Sequence, residues 1–288
     1  MQLKSASDRV TLRNGTTIPC LGFGMYQMPD DERVIDAIDA AVGAGYRLID
    51  GAAYYHNEIH VGEGIRRALE KYEMERDELF ITSKVWKTDR GYDNTMRAFD
   101  KTMADLKLDV LDLYLIHWPM VSALSDDWEA VNVDTWKALI ELYKSGRVKA
   151  IGVSNFKPAH LKALMDTEVV PMVDQIQFHP GLDQQATIDF CMGHDIVVEG
   201  WRPLGKGTIV GNPLIVERAN RYAVTPAQLI LRWVLQHRVI PLPKALSSQH
   251  ITENTKLFDF EIAPEDMAMI DAIEKEADEA HDPDFQTE

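Results

Sequence analysis

The sequence predicts a (β/α)8 barrel, and three observations point to it. Short apolar, β-rich runs alternate with amphipathic stretches of helical length between Leu21 and Lys244, which calls for a parallel sheet with crossover helices. The strand-like runs number eight. Asp50, Lys84 and His117 stand where the second, third and fourth runs finish, and barrels carry their active sites at the C-terminal ends of the strands. At 288 residues and 45% hydrophobic content the chain suits one large core, so residues 1–288 are read as a single domain. A large open sheet of eight strands is the competing architecture.

In chain order, Val10–Pro19 reads as a hairpin around Asn14-Gly15, a two-residue turn signal, and is expected to plug the bottom of the barrel. The eight strands are expected at Leu21–Met25, Tyr46–Asp50, Leu79–Lys84, Leu111–His117, Val148–Val153, Val173–Gln177, Ile196–Glu199 and Val239–Leu242. Between them Asp31–Ala44, Glu58–Tyr72, Tyr92–Leu106 and Asp134–Ser145 space apolar residues helically, with Gly45 and Gly146 suited to helix C-termini. Pro264–Ala277 reads as a final helix, and Asp278–Glu288 as a polar tail.

A formal net charge of −16 works against binding nucleic acid or anionic lipid through their phosphates, and requires any anionic cofactor to be held by local cations. No stretch approaches the roughly 18 to 20 apolar residues that span a bilayer, and the N-terminus has no apolar leader. Cys20 and Cys191 fit neither a metal-ligand spacing nor a disulfide framework and read as core thiols, so no metal is expected. The chain is read as a cytoplasmic monomer acting on a small molecule.

Reducing a carbonyl by hydride needs a proton donor for the developing alkoxide, and a tyrosine with a pKa near 10 is a weak acid unless helped. An ammonium beside it stabilises tyrosinate, which is the part Lys84 can play for Tyr55. Asp50 would keep the lysine charged and oriented, and His117 would donate to the carbonyl. Each residue has an ordinary reading as well: a helix cap for Asp50, a solvated lysine for Lys84, packing for Tyr55. His117 closes the apolar run Leu113-Tyr114-Leu115-Ile116 and is the hardest to place as filler.

Taken as motifs, these residues resemble the aldo-keto reductase superfamily from about Val10 to Phe285, and within it bacterial members similar to the 2,5-diketo-D-gluconate reductases. Gly45 to Glu58, reading GYRLIDGAAYYHNE, resembles one family signature and carries Asp50 and Tyr55. Met103 to Pro119, reading MADLKLDVLDLYLIHWP, resembles a second and carries His117 near its end. Ile81 to Lys84 supplies the lysine, and Ile240 to Lys244 through Glu253-Asn254 resembles a third. The resemblance implies a (β/α)8 barrel and hydride transfer from NAD(P)H to an aldehyde or ketone. It makes Tyr55 the general acid, tuned by Lys84 and Asp50, with His117 orienting the carbonyl. It also implies that Ser154, Asn155 and Gln175 hold the nicotinamide carboxamide, that Trp201 stacks on the ring, and that Leu204 and Gly205 lie against the pyrophosphate. Lys244 and His250 would face the adenosine 2′-phosphate, Glu253 and Asn254 the adenine, and Tyr26, Trp86 and Trp118 the substrate.

The chain departs from the family pattern in places. The 2′-phosphate pocket commonly reads Lys-Ser with an arginine six residues after the lysine; here it reads Lys244-Ala245 with His250. Arginine grips phosphate bidentately at every relevant pH, whereas an ordinary histidine is mostly neutral at pH 7, so discrimination between NADP(H) and NAD(H) is expected to be weakened. Gly51 stands where threonine commonly follows the catalytic aspartate, and Arg202 where a small residue is common. Substrate choice is expected from the segments Tyr26 to Asp31, Met120 to Val131 and the tail after Ala280, with Trp128, Asp126, Asp127 and Glu129 disfavouring anions. Two rival functions stay open: a Schiff-base lyase using Lys84, and a reporter of nicotinamide redox state.

Overall fold

The computed structural model describes residues 3–119, 127–274 and 282–284. Strands β1 (Arg9–Thr11) and β2 (Thr17–Pro19) form an antiparallel hairpin. Eight parallel strands follow: β3 (Gly22–Gly24), β4 (Leu48–Asp50), β5 (Phe80–Val85), β6 (Leu111–Ile116), β7 (Val148–Ser154), β8 (Val173–Gln177), β9 (Val197–Trp201) and β10 (Val239–Leu242). They pair in chain order, and the Gly24 amide donates to the Pro243 carbonyl at 3.0 Å, joining the two edges. The barrel is the expected fold, and each strand overlaps its expected run.

Helices α1 (Glu32–Gly43), α2 (Glu58–Lys71), α3 (Tyr92–Leu106), α4 (Trp128–Lys144), α5 (Pro158–Met165) and α6 (Gln185–Gly193) form the successive crossovers. Then α7 (Pro213–Arg221) and α8 (Pro226–Gln236) lead into β10, followed by α9 (Ser248–Glu253) and α10 (Pro264–Asp271). Local chemistry starts and stops them. The Asp31 carboxylate accepts from the Arg33 amide at the start of α1, and Gly45, at φ +102°, takes the left-handed position after its end. Thr225 and Gln228 form a reciprocal capping box on α8, with Pro226 in its first turn. Among the described residues no helix is long and apolar enough to cross a membrane.

Three local expectations change. The hairpin loop has three residues, Arg13 to Gly15: Leu12 donates to Thr16 and accepts from Gly15, which alone of Asn14-Gly15 has positive φ, at +85°. A type I turn closed by a left-handed glycine has therefore replaced the two-residue turn. The hairpin does sit against the N-terminal side of the barrel, with Ile18 and Leu12 buried and Asn14 bonded to the Lys149 carbonyl near the start of β7. Helix α4 begins at Trp128 rather than Asp134, because its inner face there is polar: buried Asn132 and Thr135 bind the Arg90 guanidinium, which hides the apolar period. Helix α10 ends at Asp271, short of Ala277, where the aspartate accepts from the Trp233 indole and contacts His237 on and just after α8. Met120 to Asp126 of the expected substrate loop, residues 275–281 and those after 284 lie outside the described residues.

Candidate active site

At the C-terminal end of the barrel a cavity of about 540 Å³ opens, with Asp50, Tyr55, His117, Ser154, Asn155 and Gln175 in its walls. Strand geometry puts them there. Asp50 ends β4 and Lys84 lies one residue from the end of β5, both pointing inward, while His117 follows β6 directly and its amide still pairs with the Val85 carbonyl at 3.1 Å. Tyr55 closes a single 3₁₀ turn, Ala53–Tyr55, released by His56 at φ +56°. The Asn57 amide ties that turn to the carbonyls of Met25 and Met28, which brings the Tyr26 ring to 5.1 Å from Tyr55.

Lys84 is fully buried and donates to Asp50 Oδ1 at 2.6 Å, to the Gly51 carbonyl at 2.9 Å and to Tyr55 Oη at 3.3 Å. Burial pulls its pKa down, but the Asp50 charge and the Tyr55 oxygen more than offset this, so it is held above its ordinary value as a cation. Its three N–H donors are all engaged, which leaves no free amine for a Schiff base. The Tyr55 phenol is pushed up to about 12 by burial; Lys84 pulls it down and Asp50 pushes it further up. The expected lowering by Lys84 is present, then, but burial outweighs it here. His117 is held well below its ordinary value by burial and by the Lys84 charge, so its ring is neutral near pH 7, and its Nδ1 is buried without a hydrogen-bond partner among the described residues.

Around this group, Trp86 stacks on Tyr54 at 3.7 Å and meets His117 edge-on at 4.9 Å. Trp118 meets Trp201 edge-on at 6.4 Å. The Trp201 indole donates to Asn155 Oδ1 at 2.8 Å, and Asn155 Nδ2 donates to the His117 carbonyl at 2.9 Å and to Ser154 Oγ at 3.0 Å. Arg202 lies over the rings of both Tyr26 and Trp201, at 5.5 and 5.1 Å from their centroids. Lys206 and Lys244 are the exposed cations of the wall, and Lys244 donates to the Gln27 carbonyl at 3.1 Å.

Of the residues singled out in the sequence, Tyr26, Trp86, Trp118, Trp201, Leu204 and Lys244 also line this cavity, while Lys84 stands immediately behind Asp50 and Tyr55. Gly205, His250, Glu253 and Asn254 lie outside the wall; His250 is exposed on α9 and Asn254, its C-cap, is buried. Trp128 is turned onto His160 at 4.9 Å and is not a lining residue. The sequence reading missed Tyr54 and Lys206 in the wall, and Glu199 behind it. The signal for Glu199 was available: a carboxylate ending the apolar run Ile196-Val197-Val198 is as anomalous as the histidine ending β6.

The residues fit a nicotinamide dinucleotide. A broad indole face, an amide and hydroxyl group at Ser154, Asn155 and Gln175, and cations at the rim match an aromatic amide joined to phosphates. Residues 20–275 match the model of the aldo/keto reductase family. The chain is 44% identical over 281 residues to a glyoxal reductase of Bacillus subtilis, covering 97% of this chain and 98% of that one. It superposes on an aldo/keto reductase of Brucella melitensis with a TM-score of 0.84 at 38% identity, covering 92% and 98% of the two chains. A Bombyx mori aldo-keto reductase solved in complex with NADP gives a TM-score of 0.84 at 29% identity, covering 93% and 92%. With a tyrosine, an ion-paired lysine and a neutral histidine at the mouth of an eight-stranded barrel, and these likenesses along nearly its whole length, the chain belongs to the aldo/keto reductase family of NAD(P)H-dependent oxidoreductases.

Proposed function

We propose that Tyr55 is the proton donor in an NAD(P)H-dependent reduction of small aldehydes and ketones. The observation that carries the reading is the contact of Lys84 Nζ with Tyr55 Oη at 3.3 Å and with Asp50 at 2.6 Å, on the floor of an aromatic-walled cavity. When bound, the dihydronicotinamide supplies the hydride. At neutral pH the phenol is protonated and ready to donate, and as its proton moves to the alkoxide the growing tyrosinate charge meets the Lys84 ammonium. Asp50 keeps that ammonium charged and pointed at Tyr55. Neutral His117 donates from one ring nitrogen to the carbonyl oxygen, fixing it beside Tyr55. Ser154, Asn155 and Gln175 orient the carboxamide, and Trp201 supplies the face on which the ring lies. Tyr55→Phe should lower kcat by at least about a hundredfold while the protein still quenches NADPH fluorescence on binding, since only the proton donor is removed. Retained turnover in that variant would sink the assignment.

For the adenosine end, Leu204 and Gly205 contribute backbone beside the pyrophosphate, Lys244 and His250 face the 2′-phosphate, and Glu253 and Asn254 the adenine. Lys244 is then a lone point charge, because Ala245 brings no hydroxyl and exposed His250 no guanidinium fork. NADH is accordingly used comparably to NADPH. A preference for NADPH above about a hundredfold in kcat/KM, roughly 2.7 kcal/mol, would overturn this. The substrates are compact carbonyls, dicarbonyls among them as the likeness to a glyoxal reductase suggests, held against Trp86, Trp118 and Tyr26. A panel of such carbonyls, assayed with both cofactors, tests the class. The buried free thiols of Cys20 and Cys191 suit a monomer working in the reducing cytoplasm, which fractionation and sedimentation would check.

A further inference from the structure

Glu199 lies wholly inside the barrel, in register with Gln175 on the neighbouring strand. The Gln175 Nε2 donates to Asp50 Oδ1 at 2.8 Å and to Glu199 Oε2 at 2.9 Å, so a single amide nitrogen bridges two carboxylates. The other oxygen, Oε1, is buried and has no hydrogen-bond partner among the described residues. Counting charges decides what this means. Asp50 and Lys84 neutralise one another, and every donor of Lys84 is used on Asp50, Gly51 and Tyr55. Among the described residues no further cation faces a second carboxylate there.

The groups facing Glu199 are few. Asp50 comes from β4, Lys84 from β5 and neutral Gln175 from β8, with the Tyr55 hydroxyl and the His117 ring beyond Lys84. The other neighbouring strand, β10, offers Val239, Ile240, Pro241 and Leu242, none of them titratable. An unpaired anion in such surroundings is disfavoured, and the neutral acid is the stable form.

We propose that Glu199 is a positioning residue that carries a proton in the active enzyme, and that losing this proton places a second negative charge beside Asp50 and stalls proton donation by Tyr55. The idea rests on the reading of Tyr55 as the donor. The dissociation is simple: the Glu199 O–H bond breaks, the proton goes to solvent and the electron pair stays on the carboxylate. Burial pushes the Glu199 carboxyl up to about 8, reinforced by Asp50 and opposed by the Gln175 hydrogen bond and Lys84. Above that pH the added anion competes with Tyr55 for the Lys84 ammonium and makes the phenol a weaker acid.

The test pairs a spectrum of the free protein with kinetics. In infrared difference spectra of the cofactor-free protein, a carboxylic-acid carbonyl band present at neutral pH should disappear on raising the pH, and should be missing in Glu199→Gln. In parallel, kcat for carbonyl reduction should fall about tenfold between about pH 7 and about pH 9.5, as the second anion makes the Tyr55 phenol a weaker acid. In Glu199→Gln, which offers Gln175 the same acceptor without a titratable group, the two values should differ by less than about twofold. Glu199→Thr, smaller and equally uncharged, should lose the same limb and serves if the glutamine variant does not fold. Spectra unchanged by the substitution overturn the protonation, and superimposable pH profiles overturn the coupling. Neither outcome depends on Tyr55→Phe, whose turnover tests the donor assignment separately.

Discussion

The Asp50–Lys84 ion pair is an expensive way to fill a barrel. Both side chains are almost completely buried, and a buried pair is often no more stable than apolar groups of the same volume, because desolvation consumes the Coulombic gain. Its presence is explained by what it holds, the Tyr55 hydroxyl and the Gly51 carbonyl. Glycine at position 51 brings no side chain to this strand end, yet its amide donates to the Thr82 carbonyl at 2.9 Å and its own carbonyl is fastened by Lys84. Asp174, one residue before Gln175, is a buried acid with no such purpose. Among the described residues its Oδ1 has no hydrogen-bond partner, Oδ2 lies 3.9 Å from the Cys191 sulfur, and burial pushes its pKa well above the usual carboxylate range. The folded state thus keeps a proton that the unfolded chain releases above its ordinary pKa of about 4, so stability falls as pH rises from there toward the folded value. Asp174→Asn should remove that slope and stabilise the protein by about 1–3 kcal/mol at alkaline pH. Thermal unfolding at acidic and alkaline pH would check it, and a lower Tm for the variant at alkaline pH would refute it.

Elements in this fold are spaced by small residues as much as by large ones. On α2, a Cβ added at Gly62 would lie 2.4 Å from the Leu106 carbonyl oxygen at the end of α3. Glycine to alanine within a helix normally gains about 1 kcal/mol, but here the contact with rigid backbone should reverse the sign, and Gly62→Ala should cost about 1–3 kcal/mol. Chemical denaturation would show this as a lower midpoint at an unchanged m-value; a raised midpoint would contradict it. Helix α4 teaches the limit of periodicity. Its first turns were illegible because Asn132 and Thr135, polar by composition, are buried against Arg90, whose guanidinium also holds the Trp118 carbonyl at 2.5 Å. That cluster ties the segment after His117 to the helix and so supports one wall of the cavity. Nothing in the local sequence of α4 announces a buried arginine contributed from beyond β5.

Across the whole molecule, a net charge of −16 sets a repulsive background for an anionic cofactor, against which Arg202, Lys206 and Lys244 collect at the cavity rim. If positions 245 and 250 face the 2′-phosphate as proposed, the double variant Ala245→Ser, His250→Arg, which supplies a hydroxyl and a guanidinium fork, should raise the NADPH-to-NADH ratio of kcat/KM at least about tenfold, about 1.4 kcal/mol. An unchanged ratio would mean that these positions do not face the 2′-phosphate. We propose that residues 1–288 unfold as one domain, because a continuous buried cluster runs from Leu12 in the hairpin to Ile270 in α10; two calorimetric transitions would argue otherwise. By itself the sequence determined the eight strands, most of the crossovers and the four residues that meet at the barrel mouth, three by strand-end polarity and Tyr55 by its motif, since apolar period, strand-end polarity and motif are properties of neighbours along the chain. Only the tertiary structure decided which charges meet: that Lys84 spends all three donors, that burial keeps the Tyr55 phenol high, and that Glu199 shares the Gln175 amide with Asp50. Residues 50, 84, 175 and 199 come from four different strands, and their protonation depends on distances and desolvation that exist only once the barrel has closed.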